Sequence, residues 1–165
     1  MVSRRLAREA GHRRKFLCVV DGTPECDRAV VYAARRAVST SGALVLLYVI
    51  EPIDPQQWRG VEEVMRSEAM DEARRELAAM AERLGLLPGD VAAELVIREG
   101  QPAAAIHKLI DEDRDIAILV LASAVGNDGP GPLISSIASR SNGGFPIPVT
   151  IVPGGLSDEE LTAVT

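Results

Sequence analysis

The stretch FLCVVDGTPECDRAV, residues 16–30, predicts a strand and the helix that follows it. Its opening FLCVV run is apolar without alternation, which is typical of a short strand buried on both faces. The run stops at the turn formers Asp21 and Gly22. Thr23 can cap a helix, and Glu25 suits the positive end of the helix dipole. A doubly buried strand followed at once by a helix predicts the first unit of a parallel α/β sheet.

The same alternation of strand and helix continues along the chain. Further apolar strands are predicted over residues 43–50, 93–97, 116–121 and 147–152, with helices between them. Apolar residues make up 47% of the sequence but aromatic residues only 3%, so the core must consist of Val, Ile, Leu and Ala. Such connections are right-handed and give a parallel sheet with helices on both faces and ligand sites at the carboxyl ends of its strands. We therefore expect one α/β domain with an open sheet of five parallel strands.

The charge is distributed unevenly along the chain. The formal net charge is −6, yet the N-terminal residues 1–15 are basic. The rest of the chain is acidic, which does not favour nucleic-acid binding, because duplex binding usually needs a broad basic face. We predict a disordered basic arm over residues 1–15, a folded domain over 16–154, and an acidic tail or short docking segment over 155–165.

Composition also bears on membranes, metals and redox chemistry. No apolar run reaches the roughly 18 to 20 residues of a membrane helix, and the N-terminal segment lacks the apolar centre of a signal peptide, so a cytoplasmic protein is expected. Cys18 and Cys26, with two histidines, match no disulfide framework and no metal site. Cys26 falls in the first turn of a helix, which can lower a thiol pKa, so a redox-sensitive and a purely structural Cys26 are the alternatives.

Four segments taken together resemble the universal stress protein family. They are VVDGTPECDRAV, ALVLLYVIEP, REGQPAAAIHKLI and FPIPVTIVPG, and their order and spacing cover nearly all of residues 16–154. The resemblance implies a Rossmann-like, adenine nucleotide alpha hydrolase-like sheet of strand order 3-2-1-4-5. It also implies a regulatory role in the stress response rather than metabolic catalysis.

Some members of this family bind ATP and others do not. The binding signature is a glycine, two residues, a second glycine, nine residues, then a glycine followed by serine or threonine. It falls on ASAVGNDGPGPLISS, where the three glycines become Ala122, Val125 and Ser135 and Ser136 keeps its family chemistry. A side chain at such positions can prevent a positive φ or the approach of the backbone to a phosphate. Val125, being β-branched, is expected to obstruct the loop most.

The same loop contains features that compensate for these losses. Gly126, Gly129 and Gly131 supply three flexible points, and a helix from near Leu133 would direct free amide hydrogens at an anion. A remodelled phosphate cradle that includes Ser123 is therefore one hypothesis, with ATP and Mg²⁺ as the ligand. The alternative is a member that no longer binds nucleotide and acts as a dimeric interaction scaffold.

Two further positions match the family's nucleotide site. Asp21 corresponds to the acidic residue that approaches the ribose and base, and Val49 to the residue whose backbone meets the adenine edge. From the sequence alone, Asp21 can equally be a turn residue that accepts a hydrogen bond from the backbone just after it, and Val49 can be a core residue.

The last predicted strand suggests a homodimer. Ile147, Val149, Ile151 and Val152 form an apolar strand that Pro148 confines to a sheet edge, where an exposed strand is prone to pair with another chain. The resemblance likewise implies a homodimer in which this strand pairs with its twin across a two-fold axis. No catalytic constellation is seen, because neither histidine is evidently placed to activate Ser123.

Overall fold

The computed structural model describes residues 3–54, 56–57, 59–126, 129–139 and 145–165. Within these ranges five strands and five helices alternate. The strands are β1 (Lys15–Val19), β2 (Ala43–Ile50), β3 (Ala93–Glu99), β4 (Ile116–Ser123) and β5 (Val149–Pro153). The helices are α1 (Cys26–Ser39), α2 (Glu62–Gly85), α3 (Pro102–Glu112), α4 (Pro132–Ser139) and α5 (Asp158–Val164). All strand pairings are parallel in the order β3-β2-β1-β4-β5, which confirms the predicted fold class and topology.

The central position of β1 explains its continuous apolar sequence. Phe16 and Cys18 face one apolar cluster, which includes residues of α1, α2 and α5. Leu17 and Val19 face a second cluster, which includes residues of α3 and α4. Because both faces of the strand are covered, the four buried positions after Lys15 are all apolar.

The strand ends differ from the predicted ones by a few residues. Strands β3 and β4 each continue two residues further, and β5 runs from Val149 to Pro153 rather than over 147–152. Pro148 lacks an N–H, but its carbonyl oxygen accepts a hydrogen bond from the Leu119 N–H at 3.0 Å, so pairing with β4 starts there. Ile147 lies before the strand and is buried against the second cluster.

The basic arm, expected to be disordered, is described from Ser3 onward, and it packs on the end of α3. Arg5 Nη1 donates hydrogen bonds to the carbonyl oxygens of Ile110 at 2.6 Å and Ile116 at 3.2 Å. The last carbonyls of a helix have no partner within the helix, and a guanidinium group can satisfy them. One arginine of the arm is therefore a helix-capping residue, which charge counting alone does not reveal.

The acidic segment at the C-terminus forms helix α5. The Ser157 hydroxyl accepts a hydrogen bond from the Glu160 N–H at 3.1 Å, and the Glu160 carboxylate accepts one from the Ser157 N–H at 2.8 Å. This reciprocal pair is a capping box. Leu161 is fully buried in the first apolar cluster, so the segment belongs to the folded unit instead of forming a polar tail.

Candidate functional site

A cleft of about 770 Å³ opens where the winding of the sheet reverses. Parallel sheets bind ligands at this place, beyond the carboxyl ends of the strands. The lining includes Asp21 after β1, Val49 on β2 and Ser136 on α4, so the structure brings three of the predicted site residues together. Helix α2 and the start of α3 supply the other walls.

Asp21 has the turn role that the sequence left open. Its Oδ1 atom accepts hydrogen bonds from the Thr23 backbone N–H at 3.1 Å and from the Thr23 hydroxyl at 2.6 Å. This is an Asx turn that holds the loop between β1 and α1. The exposed carboxylate also borders the cleft, so the turn presents an acceptor to whatever occupies it. The ligand role of Asp21 stays a prediction.

Val49 and its neighbour Tyr48 form part of the cleft wall. The side chain of Val49 packs against the second apolar cluster, as its core interpretation requires, while the residue still borders the cleft. Tyr48 packs against the first cluster, and burial together with the Glu72, Glu76 and Asp21 carboxylates raises the pKa of its phenol. Tyr48 therefore keeps its proton at neutral pH and can donate a hydrogen bond to a ligand.

A second, smaller cleft of about 160 Å³ lies beside the loop after β4. Ala122, Asp21, Glu25 and Gly131 are among the residues that line it. Ala122 packs partly on the first apolar cluster, and the Ser123 carbonyl oxygen accepts a hydrogen bond from the Gly154 N–H at 3.1 Å. The predicted phosphate loop thus stands directly next to the larger cleft, with Asp21 bordering both.

Val125 does not take the positive φ that its side chain would oppose, while its effect on the approach of a phosphate stays a prediction. Its side chain is 66% exposed and is not among the residues that line either cleft. Among the described non-glycine residues a positive φ occurs at Ser41, and in this loop positive φ falls on glycines, at Gly126 (123°), Gly129 (85°) and Gly131 (108°). Because the adjacent glycine takes the special backbone conformation, the valine costs the loop little strain.

The two serines of the signature have different surroundings. Ser135 is exposed, and its hydroxyl donates a hydrogen bond to the carbonyl oxygen of Gly131 at 3.0 Å. Ser136 borders the larger cleft and is the hydroxyl of the pair that can meet a ligand there. Pro132 opens helix α4 and has no N–H, so this helix offers one donor fewer to an anion.

The charges around both clefts are negative. The larger cleft is bordered by Asp21, Glu51 and Glu72, and the smaller one by Asp21 and Glu25. No lysine, arginine or histidine lines either cleft in the described part of the chain. No group of three or more His, Cys, Asp or Glu residues could hold a metal ion there either. The described lining of the two clefts therefore offers no cationic side chain to offset the negative charge of a triphosphate.

The two histidines have partners other than Ser123. His12 Nδ1 lies 2.7 Å from the Asp115 carboxylate, and His107 Nδ1 lies 3.3 Å from that of Asp111. The His107 ring also meets the Phe145 ring edge-on. No hydrogen bond joins either histidine to Ser123 in the described residues, which gives that hydroxyl no base in this arrangement.

Cys26 is expected to be unreactive in the folded protein. Burial raises the pKa of its thiol to about 12, and the Sγ–H group donates to the Val19 carbonyl oxygen at 3.5 Å. An ordinary cysteine has a pKa of about 8.5, so at pH 8 Cys26 holds roughly a thousandfold less of the reactive thiolate. We predict that a thiol-specific disulfide reagent labels neither Cys26 nor the buried Cys18 at pH 8, and labels both after unfolding in guanidinium chloride. Rapid labelling of one thiol in the native protein would restore the redox-sensitive interpretation.

The described ranges contain no helix with the length and apolar character that crossing a membrane requires.

At the opposite edge of the sheet from β3, strand β5 exposes part of its apolar surface. Ile147 and Val152 are buried within the chain, Val149 is half-buried, and Ile151 is 47% exposed. The predicted interface residues therefore divide into core residues and one outward-facing isoleucine.

Comparison with known proteins identifies the family that this chain resembles. The model of the universal stress protein family matches residues 12–153. The chain is similar to the universal stress protein UspA from Lactobacillus plantarum, with 19% identity and a TM-score of 0.68 over 84% of this chain and 97% of that one. Among curated proteins no sequence matches significantly.

Two further similar structures contain a nucleotide. One is a universal stress protein family protein from Arabidopsis thaliana with AMP bound, at 18% identity and a TM-score of 0.59 over 88% of this chain and 94% of that one. The other is the universal stress protein from Archaeoglobus fulgidus in complex with dAMP, at 15% identity and a TM-score of 0.58 over 92% and 99%.

Similarity at these identities establishes the fold, which is Rossmann-like and of the adenine nucleotide alpha hydrolase-like type. The family match goes further, because it extends from just before β1 to the last residue of β5. This chain belongs to the universal stress protein family.

Proposed function

We propose that this chain is a cytoplasmic regulatory protein that binds an adenine nucleoside or nucleotide through its adenosine part and performs no metabolic catalysis. The observation that carries the proposal is the cleft that unites Asp21, Val49 and Ser136 at the reversal of the sheet. Family relatives with AMP or dAMP bound support an adenine ligand. Family membership supports a proposed role in the stress response.

The cleft offers each part of adenosine a suitable contact. The apolar side chains of Val19 and Ala69 border a space for the base, and the backbone of Val49 can meet the adenine edge. The free oxygen of the Asp21 carboxylate can accept hydrogen bonds from ribose hydroxyls. Most of these groups come from strand ends and helices, which hold their positions before a ligand arrives.

The adenosine site is tested by exchanging Asp21. We predict that Asp21→Ala weakens adenosine binding at least tenfold, because a hydrogen bond to a charged acceptor is worth about 1.5–3 kcal/mol. Asp21→Asn keeps an oxygen for the Asx turn and should weaken binding less. Titration calorimetry at moderate salt measures both affinities.

A similar turn elsewhere provides the control for this experiment. Asp54 Oδ1 accepts a hydrogen bond from the Gln56 N–H at 2.9 Å, and Asp54 does not line the larger cleft. Asp54→Ala therefore removes an equivalent turn and should leave the affinity unchanged. Unaltered adenosine affinity in Asp21→Ala would remove Asp21 from the site, and no adenosine binding by the unaltered protein would favour the interaction scaffold.

We further propose that the protein is a homodimer formed by the edge of β5. In its strand pairing β5 bonds to β4, and among the described residues no strand lies along its other edge. An open edge strand with apolar side chains is stabilised by pairing with a second copy.

A further inference from the structure

Gln101 directly precedes α3 and lines the larger cleft. It occupies the N-cap position of the helix, where Ser, Thr, Asp or Asn is preferred because its side chain accepts a hydrogen bond from the first turn. The Gln101 side chain makes no such bond, and the residue is exposed. Its carboxamide is therefore not used to cap the helix and can bond to a ligand in the cleft.

The backbone on both sides of Gln101 holds it beside the end of β2. The Gly100 N–H donates a hydrogen bond to the Ile50 carbonyl oxygen at 2.9 Å, which joins the end of β3 to the end of β2. Gly100 has a φ of 136°, a conformation that favours glycine. On the other side, the ring of Pro102 fixes φ at the start of α3. Gln101 thus has a defined place next to Val49 in the cleft wall.

The backbone of Val49 can meet one edge of an adenine and leaves a second edge for a side chain. Residues of a strand alternate in the direction of their N–H and C=O groups. The Leu47 carbonyl oxygen bonds to the Val20 N–H on the β1 side, and that of Ile50 bonds to Gly100 on the β3 side. The N–H and C=O of Val49 therefore point to the β1 side, beyond the last paired residue of β1, where they can meet adenine N1 and N6.

We propose that the Gln101 carboxamide determines the specificity for the base: its oxygen accepts a hydrogen bond from adenine N6–H, and its NH₂ group donates one to N7. The inference rests on the proposed function, since it concerns the same cleft. A carboxamide presents a donor and an acceptor side by side, which matches the N6 and N7 positions of adenine. The ionised carboxylates of Asp21, Glu51 and Glu72, which also line the cleft, can only accept and so cannot serve N7.

Titration calorimetry with adenosine and 7-deazaadenosine tests this contact, because the second nucleoside has a C–H group in place of N7. For the unaltered protein we expect 7-deazaadenosine to bind about fivefold more weakly, which corresponds to one hydrogen bond between neutral groups. Gln101→Ala removes both bonds, so adenosine should bind about tenfold more weakly than to the unaltered protein. The two nucleosides should then bind to this variant with equal affinity.

Gln101→Glu separates a base contact from a purely structural role. The variant keeps the length of the side chain and the acceptor for N6–H, but its carboxylate has no donor and would face the lone pair of N7. We therefore expect its preference to be reversed, with 7-deazaadenosine binding more tightly than adenosine. A structural defect would weaken both nucleosides alike, and thermal unfolding of each variant checks that the fold is retained.

Gln57→Ala is the matched control. Gln57 is an exposed glutamine before α2 and is not among the described residues that line the larger cleft, so both affinities should stay unchanged. Equal binding of the two nucleosides to the unaltered protein, or the same loss of preference in Gln57→Ala as in Gln101→Ala, would overturn the role of Gln101 and leave the proposed function intact. If neither nucleoside bound to the unaltered protein, the proposed function would be wrong, and the base contact with it.

Discussion

Leu161→Ala is expected to lower the free energy of unfolding by about 3 kcal/mol, because large-to-alanine changes at fully buried positions cost about 2–5 kcal/mol. Leu161 is fully buried in the first apolar cluster and anchors α5 to the rest of the domain. Urea unfolding followed by circular dichroism measures the change, with the slope of the transition compared between variants.

The same helix supplies the control for this prediction. Val164 is 57% exposed, so Val164→Ala should change the stability by no more than about 0.5 kcal/mol. Equal and small effects of the two substitutions would mean that α5 does not dock through Leu161. Helix α5 is also joined to Arg28 by the salt bridge of Asp158, at 2.8 Å. The Asp158 side chain is 75% exposed, so the loss of this salt bridge is expected to lower the stability only slightly.

The strands and their parallel arrangement could be predicted because their determinants are local, whereas the strand order was implied by the family resemblance. A run such as FLCVV reveals a doubly buried strand without knowledge of its neighbours, and a parallel sheet restricts the connections to a few topologies. The placement of the arm, and the choice between a tail and a docking segment for α5, could not be predicted for the opposite reason. Each is polar along most of its length, and residues such as Arg5 and Leu161 join it to partners far away in the sequence.

The candidate site also contains residues that local sequence reveals and residues that only the packing of distant segments reveals. Asp21 and Val49 stand at strand ends, where the pattern and the family resemblance both direct attention, and they do border the cleft. Tyr48 lay within an apolar run, and no pattern in the sequence singled out Glu72. Their approach to the cleft depends on how α2 lies across β2, which no local pattern specifies.

The glycine signature located the loop beside the cleft, but it did not predict where the backbone of the loop takes a positive φ. Counting lost glycines predicts obstruction at Val125, whereas the structure moves the left-handed conformation to Gly126 and turns the valine outward. Glu25, which the sequence presents only as a favourable residue at a helix start, lines the smaller cleft together with Ala124 and Gly131 of the loop. Glu25 and this loop are about a hundred residues apart in the sequence, so their proximity appears only in three dimensions.

The backbone of β5 determines how a second copy can pair with it. The Pro148 carbonyl oxygen and the Gly154 N–H both bond to β4. In a parallel ladder, residues alternate in the direction of their hydrogen bonds, so Val149 and Ile151 direct their N–H and C=O groups to the open edge. Ile151 is the central residue of the strand, and a two-fold axis at the strand centre would place two copies of it side by side.

Ile151→Asp is therefore expected to weaken the proposed dimer by about a hundredfold or more, since it opposes two like charges and removes apolar contact across the axis. Sedimentation velocity over a range of protein concentrations would show monomers where the unaltered protein sediments as a dimer. The chain itself should stay folded, because Ile151 is already 47% exposed and contributes little to the core.

Leu95→Asp provides the matched control at the other edge of the sheet. Leu95 lies on β3, is 48% exposed, and is an aliphatic residue of the same volume class as Ile151. If the dimer forms through β5, Leu95→Asp leaves its sedimentation unchanged. Dissociation by Leu95→Asp with an intact dimer in Ile151→Asp would place the interface on β3. A monomeric unaltered protein would mean that the apolar edge of β5 has another partner, because its outward donors and acceptors still favour pairing with an extended chain.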